Sequence, residues 1–468
     1  MKPASEGVPT AASAHGLGFW SGVGLVVANM IGVGVFLSAG FMAQDLGPFT
    51  IMLAWGVGAL LAMAGARAYA ELALAVPRSG GEYRILSDLL HPALGYLAGW
   101  TSLLLGFSGP IAIAAIAAGS FLKTLQPGVS PLLTAALVIV CITAVHAFDH
   151  RVSRRTQNAL VIVKVALVVG VVVLGLALGS HDTPRWSAPH PSNGFPLSAF
   201  MAGLFYVSFA FSGWNAVIYS TEEFNEPARL VPRIMLVGCA LVSVLYLIIN
   251  WIFVANLTPE RATVVFAFEQ QQITLGHLVA RDLLGDLGGK IMSGGMFVGM
   301  ISAVSAMTFA GPRVYASMAS DGFLPKVLMA RTGRPPMGSV LLQGALSLVL
   351  VFAQGVSAIL LNVSAILVIF SALTAASLFV VRFRLDGSFR PRPAALIAAG
   401  IYVSFSIWML YFAFRSSTHL LVWVAAVFGA ALVAYALTRI NVSSRRRTQT
   451  TSAVPGTVPS ADRSLPAP

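Results

Sequence analysis

The string Met30-Ile31-Gly32-Val33-Gly34-Val35-Phe36 sets two glycines two residues apart in the middle of an apolar run from Leu17 to Gly40. Glycine is a poor helix former. A segment crossing lipid must hydrogen-bond its own backbone, and a break at that depth is tolerated only where the freed groups face protein, water or a ligand. Two readings fit the string: bare N–H and C=O groups offered to a ligand, or a small-residue face on which another helix packs closely. A second string, Phe209-Ala210-Phe211-Ser212-Gly213-Trp214-Asn215, puts small and polar residues in the middle of the run from Pro196 to Ser220. Two interrupted spans, each the first of its half of the chain, are the pattern of a binding site at mid-membrane in a secondary transporter.

Lys164 is the ionisable residue that stands clearly inside an apolar run. It lies about eight residues past the start of that run, roughly 12 Å deep at 1.5 Å per residue. Such a residue costs about 2.5–3.5 kcal/mol at a helix centre, and less near an end. It either snorkels back to the interface or serves the interior. Cys141 and Cys239 both fall in apolar runs and read as buried small hydrophobes, with neither disulfide nor metal spacing. An integral-membrane enzyme needs a cluster of intramembrane His, Asp or Glu. His146, close to a span end, is isolated from acids in the sequence. The sequence therefore predicts no enzyme, no metal and no cofactor, and an integral-membrane enzyme is the remote alternative.

The elements that must position these residues follow from composition. The chain has 468 residues, 57% of them hydrophobic and 10% charged, with mean hydropathy +0.82. A span needs about 20 apolar residues. Twelve runs qualify: about 17–40, 48–76, 93–119, 130–147, 156–179, 196–220, 233–256, 289–319, 339–355, 357–381, 394–414 and 419–439. The first run is too long for a signal-peptide core and lacks a cleavage pattern, which predicts no cleaved leader. Between the seventh and eighth spans, Ile273, Leu275, Leu278, Val279, Leu283 and Leu284 recur at partly helical spacing, which predicts a short amphipathic helix. The net charge of +12 is not a nucleic-acid signature, because its placement follows the membrane. Even-numbered connections carry Arg78, Arg84, Arg151, Arg154, Arg155, Arg229, Arg233, Arg331, Arg334 and Arg382, whereas the opposite side carries only Lys123, Arg185, Arg261, Arg281, Lys290 and Arg415. That asymmetry predicts both termini in the cytoplasm of a multi-pass protein of the plasma (bacterial inner) membrane. Residues 1–16 and 441–468 are polar, with little apolar surface to bury, and read as disordered tails.

Taken together and in order, several strings resemble the amino acid–polyamine–organocation superfamily of transporters. They are Met30 to Phe36; Glu71 with Pro77-Arg78-Ser79-Gly80-Gly81-Glu82-Tyr83; Phe209 to Asn215 with Glu222-Glu223 and Asn225-Glu226-Pro227; and Arg313 with Asp321-Gly322-Phe323-Leu324-Pro325. The match runs from about Leu17 to Ile440. Its sixth-span string looks most like the L-type neutral amino acid exchangers and their bacterial relatives. The resemblance implies an all-α, leucine-transporter-like fold with broken helices 1 and 6. Residues 17–179 would form the first five-helix repeat, 196–381 the inverted second one, and 394–439 the two extra helices.

The resemblance also implies roles. An amino acid needs anion stabilisation for its carboxylate and acceptors for its ammonium, and the two ends of a broken helix supply both. The N–H groups of Val33 and Gly34 would meet the carboxylate. The carbonyls of Met30, Phe209 and Ser212 would accept from the ammonium, and Phe209 would close over the ligand. The implied substrate-binding set is Met30, Ile31, Gly32, Val33, Gly34, Phe209, Ser212, Gly213, Trp214 and Asn215. Trp214 and Asn215 lie on the break and either line the site or pack, and Phe211 reads as packing. Val33 departs from the family, where a small hydroxyl residue or alanine is common. Lys164 stands where sodium-coupled relatives hold their ion between spans 1 and 8, with Ser302 and Ser305 facing that region. These features imply sodium-independent alternating access, by exchange or by proton coupling. None of the seventeen Asp and Glu lies mid-span, which favours neutral amino acids over the alternative of a cationic amino acid or polyamine. The loop from Phe121 to Ser130 has no cysteine, so the disulfide-linked heavy chain of some animal relatives is not expected.

Overall fold

The computed structural model describes residues 17–451 apart from 149, 181, 185, 188–193, 268–273, 330–334, 354 and 384–388. The two expected tails lie largely outside these residues. The first span is two helices, α1 (Phe19–Met30) and α2 (Gly34–Met42). Then follow α3 (Pro48–Ala75), the short α4 (Gly81–Leu89), α5 (Pro92–Thr101), α6 (Ser108–Leu125), α7 (Pro131–Phe148) and α8 (His150–Leu178). The second half runs through α9 (Leu197–Phe211), α10 (Pro227–Ala255), α11 (Pro259–Ala267), α12 (Leu275–Ser320), α13 (Met337–Ala353), α14 (Val356–Phe383), α15 (Pro393–Ser416) and α16 (Thr418–Thr451). Proline stands first in α3, α5, α10 and α15, where its missing N–H has no intrahelical partner to lose. A π-helical turn, Ser102–Gly106, joins α5 to α6 within one span.

Among the described residues eleven helical segments are long and apolar enough to cross a membrane. The expected ninth span is α13, an apolar helix of 17 residues that falls just short of that length. Corresponding elements of the two halves pack in pairs: α2 on α9, α3 on α10, α6 on α12, and α7 on α13. This pairing is what two interlocked halves require. The broken first span and the α5–α6 span are the most enclosed, each 83% buried, against 17% for the apolar windows of α8 and α16. The break therefore sits at the centre of the bundle, and α8 and α16 face lipid.

Two boundaries differ from expectation. The basic stretch before the fifth span is helical from His150, so α8 extends beyond the apolar run. The last helix continues to Thr451, whereas the sequence predicted disorder from residue 441; the arginines there do not stop a helix already propagating. The amphipathic segment is helical as expected and meets the eighth span at a non-helical residue, Gly285, with φ 70° and ψ −169°, so that α12 has two arms. Leu275, Leu278 and Val279 of the amphipathic part are buried as predicted, while Leu284 is exposed. Ile273 lies outside the described residues.

Candidate binding site at the two helix breaks

Both breaks fall where the strings place them. In the first, α1 ends at Met30, α2 starts at Gly34, and Ile31 to Val33 are non-helical. The first N–H groups of a helix have no intrahelical acceptor. Here Phe36 and Leu37 recover one by donating to the Val33 carbonyl at 3.1 and 3.2 Å, while the N–H groups of Val33, Gly34 and Val35 meet no backbone carbonyl. In the second, α9 ends at Phe211, residues 212–215 turn, and a 3-10 helix covers Ala216–Glu223. Gly213 has φ 108°, and a Cβ there would lie 2.8 Å from the Asn29 carbonyl group. The second break thus rests directly on the end of α1.

Between the breaks is a cavity of about 20 Å³ lined by Met30, Gly32, Val33, Gly34, Phe209 and Ser212 from the expected set. Ile31 is buried but does not line it. Nor do Gly213, Trp214 and Asn215. Trp214 instead packs edge-on against Tyr69, with ring centroids 4.6 Å apart. Asn215 donates to Glu82, so this end of the break belongs to a closure rather than to the cavity. Six lining residues escaped the sequence reading: Asn29, Pro110, Ala114, Ala210, Ala303 and Met307. Pro110 and Ala114 come from α6, and Ala303 and Met307 from α12; nothing in an apolar helix marks the face that turns inward. Phe211 packs in the core between Trp55 and Tyr246, at 5.9 and 5.1 Å between ring centroids.

The acceptors are more occupied than expected. A carbonyl oxygen has two lone pairs. That of Phe209 already accepts from the Ser212 N–H at 3.0 Å and the Ser212 hydroxyl at 2.7 Å. That of Met30 accepts from the Tyr246 hydroxyl and keeps one lone pair. Asn29 donates through Nδ2 to the Leu25 carbonyl at 2.9 Å, which leaves its Oδ1 as a further acceptor. The Tyr246 hydroxyl also lies 3.1 Å from the Ala210 carbonyl. One α10 side chain therefore ties the end of α1 to the end of α9. Removing a buried partner of this kind leaves an acceptor unsatisfied at a cost of about 1–3 kcal/mol. We expect Tyr246→Phe to reach the membrane in normal amount and to lose about ten-fold in uptake, measured in reconstituted vesicles; uptake equal to wild type would show that the hydroxyl does not hold the breaks.

Lys164 does not snorkel. It is 2% exposed, and Nζ donates to the Ala28 carbonyl at 2.7 Å. Ala28 is in the last turn of α1, where carbonyls lack intrahelical donors and a cation is favoured. Its expected partners do not supply its hydrogen bond. Ser305 pairs with His146 Nε2 at 2.8 Å, and the Ser302 hydroxyl is buried without a partner. The lysine holds the break through the backbone of α1, and the serines of α12 are engaged elsewhere or not at all.

On the side of the basic connections the site is sealed. Glu82 accepts from Tyr69, Asn215 and Tyr219, the last at 2.6 Å. The Tyr83 hydroxyl donates to Asp321 at 2.5 Å, and Arg84 meets the same carboxylate at 2.8 Å. Burial, with Asp321 beside it, pushes the Tyr83 phenol up, so it stays a donor. Arg313 reaches Glu223 at 3.5 Å, and the Leu17 N–H donates to the Glu223 carbonyl at 2.8 Å. Farther out, Glu71 joins Arg67 at 2.9 Å and the Arg392 N–H at 3.0 Å, which ties α3 to the start of α15. Short strings far apart in the chain, around residues 80, 220 and 320, are thus one assembly.

A cavity between two broken spans, inside a bundle whose halves pack pairwise, defines a membrane transporter of the broken-helix class. The comparison with known families is more specific. A model described as amino acid permease matches residues 17–448, and the chain belongs to that family, within the amino acid–polyamine–organocation superfamily. Among its relatives is the large neutral amino acids transporter small subunit 2 of Mus musculus, 27% identical over 440 residues, covering 88% of this chain and 81% of that one. The b(0,+)-type amino acid transporter 1 of Mus musculus is 25% identical, over 84% and 81% of the two chains. The Asc-type amino acid transporter 1 of Homo sapiens is 25% identical, over 86% and 77%. The protein is a multi-pass membrane transporter of amino acids, and not an enzyme.

Proposed function

We propose that the protein carries neutral L-amino acids across the plasma membrane by alternating access around the two breaks, independently of sodium. The observation that carries this reading is the cavity wall. The free N–H groups of Val33 and Gly34 supply the anion-binding end. Met30 and Asn29 supply acceptors for an ammonium. Apart from Ser212, the remaining wall, which includes Pro110, Ala114, Phe209, Ala303 and Met307, is apolar, and no carboxylate lines the cavity. A cationic side chain placed there would be buried unpaired, which is strongly unfavourable. The Lys164 ammonium replaces a sodium ion by holding the end of α1, and either internal substrate or a proton gradient drives net uptake. The excess of basic residues on the even-numbered connections supports a cytoplasmic position for both termini.

The test is uptake of labelled alanine into vesicles containing the purified protein. Unlabelled alanine, serine and leucine compete strongly, and arginine and putrescine compete weakly. Replacing sodium with choline changes nothing, and internal amino acid or an inward proton gradient raises the rate. Strong competition by arginine with weak competition by alanine overturns the substrate reading, and sodium-driven uptake overturns the coupling reading. We also propose that no heavy chain is disulfide-linked through Phe121–Ser130, where no cysteine stands, although one relative is named a small subunit. A higher-mass band on a non-reducing gel of native membranes that disappears with reductant would refute this.

A further inference from the structure

A second cavity, larger than the one at the breaks, lies elsewhere in the protein. It has a volume of about 410 Å³ and lies between α8, the end of α10 and both arms of α12. Its walls include Leu167, Gly170 and Leu174 of α8, Phe253 of α10, and Val279 and Ile291 of α12. No charged residue lines it. The glycines of α8 make the room: a Cβ added at Gly170 would meet nothing within 4 Å. The bend at Gly285 folds the two arms of α12 over it. His277 fixes that bend, its Nδ1 lying 2.9 Å from the Gly289 carbonyl and 2.8 Å from the Ser293 hydroxyl.

Three observations say what fills this space. Unfilled volume in a protein interior costs stability in proportion to its size, and an apolar cavity does not hold water. The mouth continues the lipid-facing surface, since Val173, Leu174, Leu284, Leu287 and Ile291 are all exposed. Lys290 is exposed next to Ile291, one turn beyond the bend, and no ion pair engages it among the described residues. A lysine near a helix end extends toward the headgroup layer. The volume falls in the range of about 300–1,000 Å³ that holds small ligands.

We propose that this cavity binds one acyl chain of a membrane phospholipid, whose phosphate lies against Lys290. The chain enters between α8 and the bent α12 and packs on Leu167, Leu174, Phe253 and Val279. Leu167 is one turn beyond Lys164 on α8, so a bound chain braces the helix that carries that lysine. The site is separate from the substrate site and does not depend on which amino acid is carried.

The experiment uses the full chain in vesicles of phosphatidylglycerol containing a trace of the same lipid with a photoactivatable diazirine on its acyl chain. After illumination the label is mapped by peptide mass spectrometry. Labelling concentrates on residues 167–175 and 279–295, several-fold above that on the exposed face of α15. Gly170→Phe fills the cavity from α8 and lowers that labelling about ten-fold while the α15 signal is unchanged. Ala280→Phe fills it from α12 and serves as the second variant if the first does not reach the membrane. Labelling of the cavity no stronger than that of α15, or undiminished in a folded filled variant, overturns the proposal.

Discussion

The Lys164→Ala variant is expected to lose at least nine-tenths of uptake while reaching the membrane in normal amount. The ammonium is buried and meets the Ala28 carbonyl at 2.7 Å, in the last turn of α1. That turn is the edge of the break. Without the lysine, a carbonyl at a buried helix end loses its donor, at about 1–3 kcal/mol, together with the favourable charge at the helix terminus. Each 1.36 kcal/mol is a factor of about ten in rate. Because Lys164 does not line the cavity, its loss acts through the position of Met30 and Gly32, so KM and maximal rate should change together. Arginine is not expected to rescue it, since a planar guanidinium does not replace a compact point charge. Wild-type uptake should be the same in sodium and in choline. Full activity of the variant, measured as initial rates in vesicles, would remove the lysine from the mechanism.

The second large effect is expected at Gly34. A Cβ at this position would lie 2.5 Å from the Ala210 Cα and 3.0 Å from the Ala210 N. Those are backbone atoms of α9 and do not yield as a flexible side chain does. Any side chain must therefore part the two broken spans. Gly34→Leu is predicted to abolish uptake, and Gly34→Ala to reduce it at least ten-fold, consistent with overpacking costs of about 1–3 kcal/mol or more. Gly24 is the control, because a Cβ there meets nothing within 4 Å; Gly24→Ala should transport normally. Normal uptake by Gly34→Leu, with the variant confirmed in the membrane, would refute close approach as the role of this glycine.

What could be read from the residues alone was local. Glycine pairs and polar residues inside apolar runs mark both breaks, because helix propensity and the absence of water act residue by residue. A lysine inside a span marks its own cost, and Lys164 is where that cost is met. What could not be read was pairing across the bundle. Tyr246 has no local signature, yet its hydroxyl holds both breaks. Pro110, Ala114, Ala303 and Met307 are ordinary members of apolar helices, and only packing decides that they face inward. For Trp214 and Asn215, where lining the site and packing are both open in the sequence, Tyr69 and Glu82, distant in sequence, draw them toward the seal. Ser305 faces the region of Lys164 by its position in the sequence, yet the imidazole of His146, on a different helix, pairs with it.

The size of the cavity at the breaks has a kinetic consequence. A volume of about 20 Å³ has room for about one water molecule. No amino acid fits there unless α1, α9 and the helices around them move apart. The ligand must wait for, or select, a wider conformer, and its apparent dissociation constant is the intrinsic one divided by the fraction of molecules in that conformer. If one molecule in about a hundred is wide, apparent affinity is weakened about a hundred-fold. A substitution that loosens the seal, such as Glu82→Gln, then tightens apparent binding without touching the ligand. With the substrate bound between the breaks as proposed, affinity is governed in part by how often the molecule opens.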